Sequence, residues 1–373
     1  MKSLFAAISL CALIVTPCWG AEQQHRDKGS RILPADKNAS EDVRAILEFV
    51  THLSRRSEKK LMTGQFLGWH PHVTMKAAEE VHQQSGQWVA VIGVDYYETK
   101  LTDAKLTDPE FWKPPRWQEN NPLIKDYWSK SGLATISVHM TNPYTGGKAW
   151  DTRKRASADL LDPTSEAGRA YLEQLDGIAD GIEDLQKEGV VVLYRPFHEW
   201  ANHSAFWWCK LEPELARKLW RHMFHHFTVN RGLHNIIWVY NGTMKRYPGD
   251  GFVDINSVDC YRNYGERLPR AYNNMKAAGK PFAVGEFGPP GPSLDPDTPR
   301  NYDYAPFAKM TIDAAPRTVF FLAWRDAWGL HRNYGTTELM NDPLVVNRDD
   351  LAAELFPKLR KPPSGAESQG TGR

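Results

Sequence analysis

Cysteine is scarce in this chain of 373 residues: there are four, Cys11, Cys18, Cys209 and Cys260. That is too few for a scaffold held together by disulfides. Charge of one sign is missing as well. Lys and Arg number 46 against 45 Asp and Glu, a formal net charge of +1, so nothing in the charge balance draws the chain to nucleic acid or to an anionic membrane. Long apolar runs are absent. No segment reaches the roughly 18 apolar residues of a membrane span. Nor does a G-x-G-x-x-G, a P-loop or a G-x-S-x-G stand at the end of any apolar run, which argues against dinucleotide binding, phosphate-loop chemistry and a serine triad.

Tryptophan, by contrast, is abundant, with 14 residues. Many of them stand in polar surroundings rich in Gly and Pro, where a core is not expected. Flat aromatic faces in a cleft are what sugar rings stack on, and the alternative is that these rings are ordinary packing residues.

The N-terminus has the pattern of a signal peptide over residues 1–20. Lys2 supplies the positive region, Leu4 to Val15 the apolar stretch, and Cys18-Trp19-Gly20 a small-x-small cleavage site. The expectation is a secreted or periplasmic protein in which Cys209 and Cys260 remain, with a disulfide between them left open. Residues 21–39 read as a flexible leader, 40–356 as a single catalytic domain, and 357–373 as a disordered tail without apolar periodicity. Nothing in the sequence calls for an obligate partner chain, and a monomer is expected.

Between leader and tail, eight short apolar runs alternate with helical patterns. The runs are Leu61–Gly68, Trp88–Tyr97, Leu133–Met140, Val190–Glu199, Asn235–Gly242, Asp254–Tyr261, Pro281–Gly288 and Thr318–Asp326. Several are continuous stretches of Val, Ile and Leu, as strands buried on both faces should be. The clearest helical pattern follows Asp162-Pro163, read as N-cap and first helical residue, with Tyr171, Leu175, Ile178, Ile182 and Leu185 at steps of three and four and Gly189 as the stop. A second spans Pro213 to Thr228. Eight strands alternating with helices predict a (β/α)8 TIM barrel, an open doubly wound sheet being the alternative.

Barrel enzymes carry their chemistry at the C-terminal ends of the strands. Here those ends hold Gln65, Asp95, His139, His198, Glu199, Asn241, Asp259, Tyr261, Glu286, Trp324, Arg325 and Asp326. Glu199 ends the fourth run, and Glu286 ends the seventh between Gly285 and Gly288. Two carboxylates facing each other across a barrel mouth are the equipment for glycoside hydrolysis, one to protonate the leaving oxygen and the other to attack or to activate water. The structural alternative is that Glu199 pairs with Arg195 or His198. Another reading, a metal-dependent barrel hydrolase, rests on His70 and His72 after the first run and Asp326 after the eighth. It lacks histidines after the fifth and sixth, where Asn241 and Tyr261 stand. No metal and no cofactor is expected.

Arg195-Pro-Phe-His-Glu199 followed by Phe206-Trp-Trp, then Gly285-Glu-Phe-Gly, then Ala323-Trp-Arg325, resembles glycoside hydrolase family 26, whose best-known members are secreted endo-β-1,4-mannanases. The segment Val138-His-Met-Thr-Asn-Pro-Tyr-Thr-Gly-Gly147 is similar to that family's loop after the third strand. The resemblance covers residues 41–356. It implies a retaining mechanism on a β-linked polysaccharide or oligosaccharide such as mannan, galactomannan or glucomannan. Glu199 would be the acid/base and Glu286 the nucleophile. Tyr261 would orient the nucleophile, His198 would contact the sugar or tune Glu199, Trp324 would be the sugar platform with Arg325 its polar neighbour, and His139 and Asn142 would contact hydroxyls. Trp207 or Trp208 is a further candidate platform. The loop after the fourth run departs from the family's pattern: Ala205 replaces a tryptophan and the segment is one residue longer. Mixed-linkage β-glucan or β-1,3-xylan, and a non-catalytic carbohydrate-binding role, are the remaining alternatives.

Overall fold

The computed structural model describes residues 33–68, 73–97, 117–200, 206–290 and 301–359. The expected signal peptide, His70 and His72 lie outside them. Strand β1 comprises Leu61–Met62 and Gly64–Gly68, followed by β2 (Val91–Asp95), β3 (Leu133–Ser137), β4 (Val192–Arg195), β5 (Ile236–Asn241), β6 (Ile255–Tyr261), β7 (Phe282–Gly288) and β8 (Thr318–Ala323). Each pairs in parallel with the next, and β8 returns to β1 through Met62↔Phe320 and Gln65↔Ala323, which closes the barrel. A two-residue strand, β9 (Val345–Val346), extends the sheet beside Leu61–Met62. It is too short to leave a pattern in the sequence.

Alternation along the strands sorts their side chains. In β4, Val192 and Tyr194 pack outward against the helices, whereas Val191 and Leu193 share the barrel interior with Ile237, Val239 and Ile255. With a period of two, the inward positions continue to Arg195, Asn241 and Asp259 at the top of the barrel. Each aliphatic side chain buried below them contributes about 1.5–3 kcal/mol. The interior is closed at the other end by helix α1 (Glu41–Leu53), whose Val43, Ile46, Phe49, Val50 and Leu53 join the same cluster. Ser40 caps α1 by accepting the Val43 N–H.

Helices α2 (Lys76–Ser85), α3 (Trp117–Ser129), α4 (Glu166–Lys187) and α5 (Pro213–His225) follow β1 to β4, and α6 (Tyr264–Met275) and α7 (Phe307–Ala314) follow β6 and β7; β5 is followed only by two short 3-10 turns, and short α8 (Thr336–Met340) and α9 (Arg348–Glu354) come after β8. The expected start of α4 at Asp162-Pro163 shifts by three residues. Asp162 is spent on a turn with Thr164, and Ser165 caps the helix by accepting the Gly168 N–H. Gly189 ends it as expected, with φ of 72°.

Residues 33–39, expected as the end of a flexible leader, pack against the barrel. The Ala35 N–H donates to buried Asp254 at 2.7 Å, and Asp36 meets His234 at 2.7 Å. Cys209 and Cys260 are buried free thiols. No helix among the described residues is long and apolar enough to cross a membrane.

Candidate active site

Glu286 reaches the barrel mouth through an irregularity in β7. Val258 pairs with Val284, but Asp259 pairs with Glu286, so Gly285 is an extra residue. Such a bulge shifts the side-chain alternation by one and turns Glu286 to the same face as Asp259. Gly285 is required for a further reason: a Cβ there would lie 2.7 Å from Asp259 Oδ1 and 2.9 Å from Arg195 Cδ. Gly288 similarly leaves room for the Tyr261 ring, which a Cβ would meet at 2.3 Å. The glycines flanking Glu286 therefore make space for its polar neighbours.

Arg195 lies beneath the two strands, 1% exposed. Its guanidinium donates to Asp259 at 2.8 Å and to Glu286 Oε1. The other oxygen of Glu286 accepts the Tyr261 hydroxyl at 2.5 Å. Burial lowers the Arg195 pKa, but the charges of Asp259 and Glu286 outweigh that and raise it. Burial drives the Asp259 carboxyl well above its usual range; Arg195 opposes this, and Glu286 and Glu199 add to it. The Tyr261 hydroxyl is raised well above its ordinary value, first by burial and then by Glu286, and stays a proton donor.

Strand β4 ends at Arg195, four residues earlier than its apolar run suggests. Phe197 and Glu199 then take φ of 46° and 58°, a left-handed conformation that costs energy in non-glycine residues and persists only where the surroundings hold it. At Glu199 the hold is visible: its N–H donates to Asn241 Oδ1 at 3.0 Å, and the Asn241 amide donates to Asp259 at 2.6 Å. Glu199, half-buried, Asp259 and Glu286 thus come together, with one carboxylate oxygen of each within 4.8 Å of the others. Among the described residues this is the trio whose spacing a cation could bridge. Two of its three carboxylates are already bonded to the Arg195 guanidinium.

His198 Nε2 stands 3.7 Å from Glu286 Oε1 and 3.2 Å from His139 Nε2. Burial first, then Arg195 and His139, push the His198 pKa well below its ordinary value, so the ring is neutral. Trp324 stacks on Phe66 with centroids 3.9 Å apart and shares a cluster with Tyr261 and Trp328. Arg325 pairs with Asp326 at 3.1 Å.

Three expected site residues are placed otherwise. Trp207 is 1% exposed, and its indole N–H donates to the Met140 carbonyl. It ties the loop after β4 to the loop after β3 and offers no face to a sugar. Trp208 is likewise buried, donating to the His198 carbonyl at 2.8 Å. Asn142 has no exposed surface: its amide donates to Asp151 O at 2.7 Å and its oxygen accepts the Tyr144 N–H at 2.9 Å, so it shapes its loop. Half-buried Trp150, stacked on His139 at 5.1 Å, and Trp328, beside Tyr261 at 5.1 Å, are the aromatic neighbours that sequence reasoning missed. Their only signal was tryptophan in a polar loop.

The glycosyl hydrolase family 26 model matches residues 35–350. A Bacillus subtilis mannan endo-1,4-beta-mannosidase is 31% identical over 366 residues, covering 92% of this chain and 96% of its own. The mannan endo-1,4-beta-mannosidase A and B of Caldalkalibacillus mannanilyticus is 32% identical over 336 residues, 85% of this chain; the match spans 63% of that longer protein. Among solved structures, a Bacillus subtilis mannanase superposes with a TM-score of 0.74 at 29% identity, covering 86% of this chain and 96% of its own. A family match over most of the chain and a barrel with paired glutamates after β4 and in β7 lead to one conclusion: the chain belongs to glycosyl hydrolase family 26.

Proposed function

We propose that this protein hydrolyses β-1,4-mannosidic bonds of mannan, galactomannan or glucomannan with retention of configuration, Glu286 acting as nucleophile and Glu199 as acid/base. The observation that carries the reading is the unequal treatment of two carboxylates whose oxygens lie within 4.8 Å of each other. That short span favours direct attack over a water held between them, which needs about 6.5–9.5 Å between the carboxyl groups. Glu286 is gripped by Arg195 and Tyr261, donors that fix the orientation of its carboxyl group as a nucleophile requires. Glu199 is the more open of the two and stands beyond the end of β4, where a leaving oxygen is within reach of its proton.

In the first step Glu199 would protonate the glycosidic oxygen as Glu286 attacks, forming a glycosyl ester. In the second it would take a proton from water as that water displaces Glu286. Trp324 with Arg325 would line the glycone side, whereas His139, expected to contact a hydroxyl, has both ring nitrogens engaged by Asp95 and His198 and would act through His198. The relatives named mannan endo-1,4-beta-mannosidase support the substrate class and internal cleavage. The pattern of residues 1–20 supports export. Incubation with galactomannan, glucomannan, mixed-linkage β-glucan and β-1,3-xylan, with products resolved by chromatography, tests the reading. Cleavage of the mannans to mixed oligosaccharides is expected, and cleavage of glucan or xylan alone would overturn the substrate.

A further inference from the structure

Asp95, the last residue of β2, is fully buried and takes no part in the two-glutamate chemistry. Four donors converge on it. The backbone N–H groups of Tyr97 and His139 lie 2.9 and 3.2 Å from Oδ1, and the Ser137 hydroxyl and His139 Nδ1 lie 2.7 and 2.8 Å from Oδ2. Beyond His139 the chain of contacts continues through His198 to Glu286, at 3.2 and 3.7 Å.

We propose that Asp95 is a positioning residue that fixes the tautomer of His198 through His139, so that the His198 Nε2 beside the Glu286 carboxylate carries a proton and not a lone pair. This rests on the reading of Glu286 as nucleophile. An ionised carboxylate only accepts, so His139 Nδ1 carries a proton and, in the neutral ring, Nε2 is left as an acceptor. The two Nε2 atoms at 3.2 Å have one proton between them, and it resides on His198. Burial would raise the Asp95 pKa, but His139, Ser137 and Tyr97 together hold it below the usual range, in keeping with a permanently ionised anchor.

An independent observation supports the same tautomer. His198 Nδ1 is buried without a hydrogen-bond partner. With the proton on Nε2, that atom is an unpaired acceptor. With the proton on Nδ1, the ring would bury an orphan N–H and turn a lone pair toward Glu286, the costlier arrangement. Glu286 makes its attack from beside this ring, and a lone pair there would repel the charge that Arg195 and Tyr261 hold in place.

Nitrogen-15 NMR of the imidazole side chains of the full-length protein tests the assignment directly. His139 is expected as the Nδ1–H form and His198 as the Nε2–H form. Asp95→Asn supplies the perturbation. Its oxygen must stay with the two backbone N–H donors, so its NH2 group faces His139 Nδ1 and should reverse both tautomers. In that variant kcat on mannan should fall about ten- to a hundredfold, the scale of one hydrogen bond to a charged group, with KM changed far less. A wild-type His198 protonated on Nδ1, or reversed tautomers with unchanged kcat, would overturn the proposal. If the variant does not fold, the wild-type spectrum alone decides. The expected tautomers in a protein that cleaves no glycan would sink the functional reading and leave the tautomer assignment standing.

Discussion

Arg195 holds Asp259 with one arm of its guanidinium and Glu286 with the other, from a position with almost no exposure to solvent. A guanidinium and two acidic side chains are thus withdrawn from water together, an arrangement stable only while every partner is present. Arg195→Met removes the positive charge and leaves two buried carboxylates facing each other. A loss of about 3–5 kcal/mol is expected, read as a shift in the urea midpoint at unchanged m-value. Arg195→Lys should recover only part of it, because an ammonium cannot offer the planar fork that reaches both acceptors.

Glu199 and Glu286 should fail differently. Glu286→Gln removes the nucleophile and is expected to lower kcat by about four to six orders of magnitude with the fold intact. Glu199→Ala should cost about two to four orders on a polysaccharide and much less on a substrate with an activated phenolate leaving group, which departs without protonation. Kinetics on both substrates, with circular dichroism as the fold control, check the assignment. Equal losses on both substrates for Glu199→Ala would contradict its role as acid.

Tyr261→Phe isolates one hydrogen bond. The hydroxyl donates to Glu286 at 2.5 Å, while the ring lies beside Trp328 and over Gly288. Phenylalanine keeps the ring contacts and loses the donor. An expected cost of about 1.5–3 kcal/mol in transition-state stabilisation corresponds to a fall of about ten- to a hundredfold in kcat/KM. Little change in thermal midpoint should accompany it.

The barrel was legible because continuous Val, Ile and Leu runs have one stable home, a parallel sheet covered on both faces. Glu199 and Glu286 were legible for the same reason, since a carboxylate that ends such a run stands at the mouth. Side-chain direction was another matter. The bulge at Gly285 turns Glu286 inward, and a glycine in sequence does not say whether it serves a bulge, a turn or a close approach. Trp207 and Asn142 looked like site residues because they stand in site loops. Their polar atoms had to be satisfied somewhere, and the partners, Met140 O and Asp151 O, become visible only once the loops fold. Sequence proximity offers Arg195 as a partner for Glu199, yet its inward register brings it to Asp259 and Glu286.

Asp254 gives the fold a pH dependence of its own. It is buried where residues 33–39 meet the barrel, accepting the Ala35 N–H at 2.7 Å and the Trp238 N–H at 2.9 Å. Burial raises its pKa from 3.8 to about 6, against the pull of those two hydrogen bonds. Between these values the folded chain binds a proton that the unfolded chain does not, so this residue's contribution to stability is full below pH 3.8 and declines as pH rises toward 6. The difference of about two pH units corresponds to about 3 kcal/mol. Asp95, held below its ordinary value, acts in the opposite sense, its contribution being lost as pH falls below 3.8. Urea denaturation between pH 4 and 7 should therefore show a component that weakens with rising pH and is absent in Asp254→Asn. That variant should be less stable overall at low pH, since an amide oxygen can serve only one of the two N–H groups well. An unchanged pH profile in Asp254→Asn would show that the carboxyl keeps its ordinary pKa despite its burial.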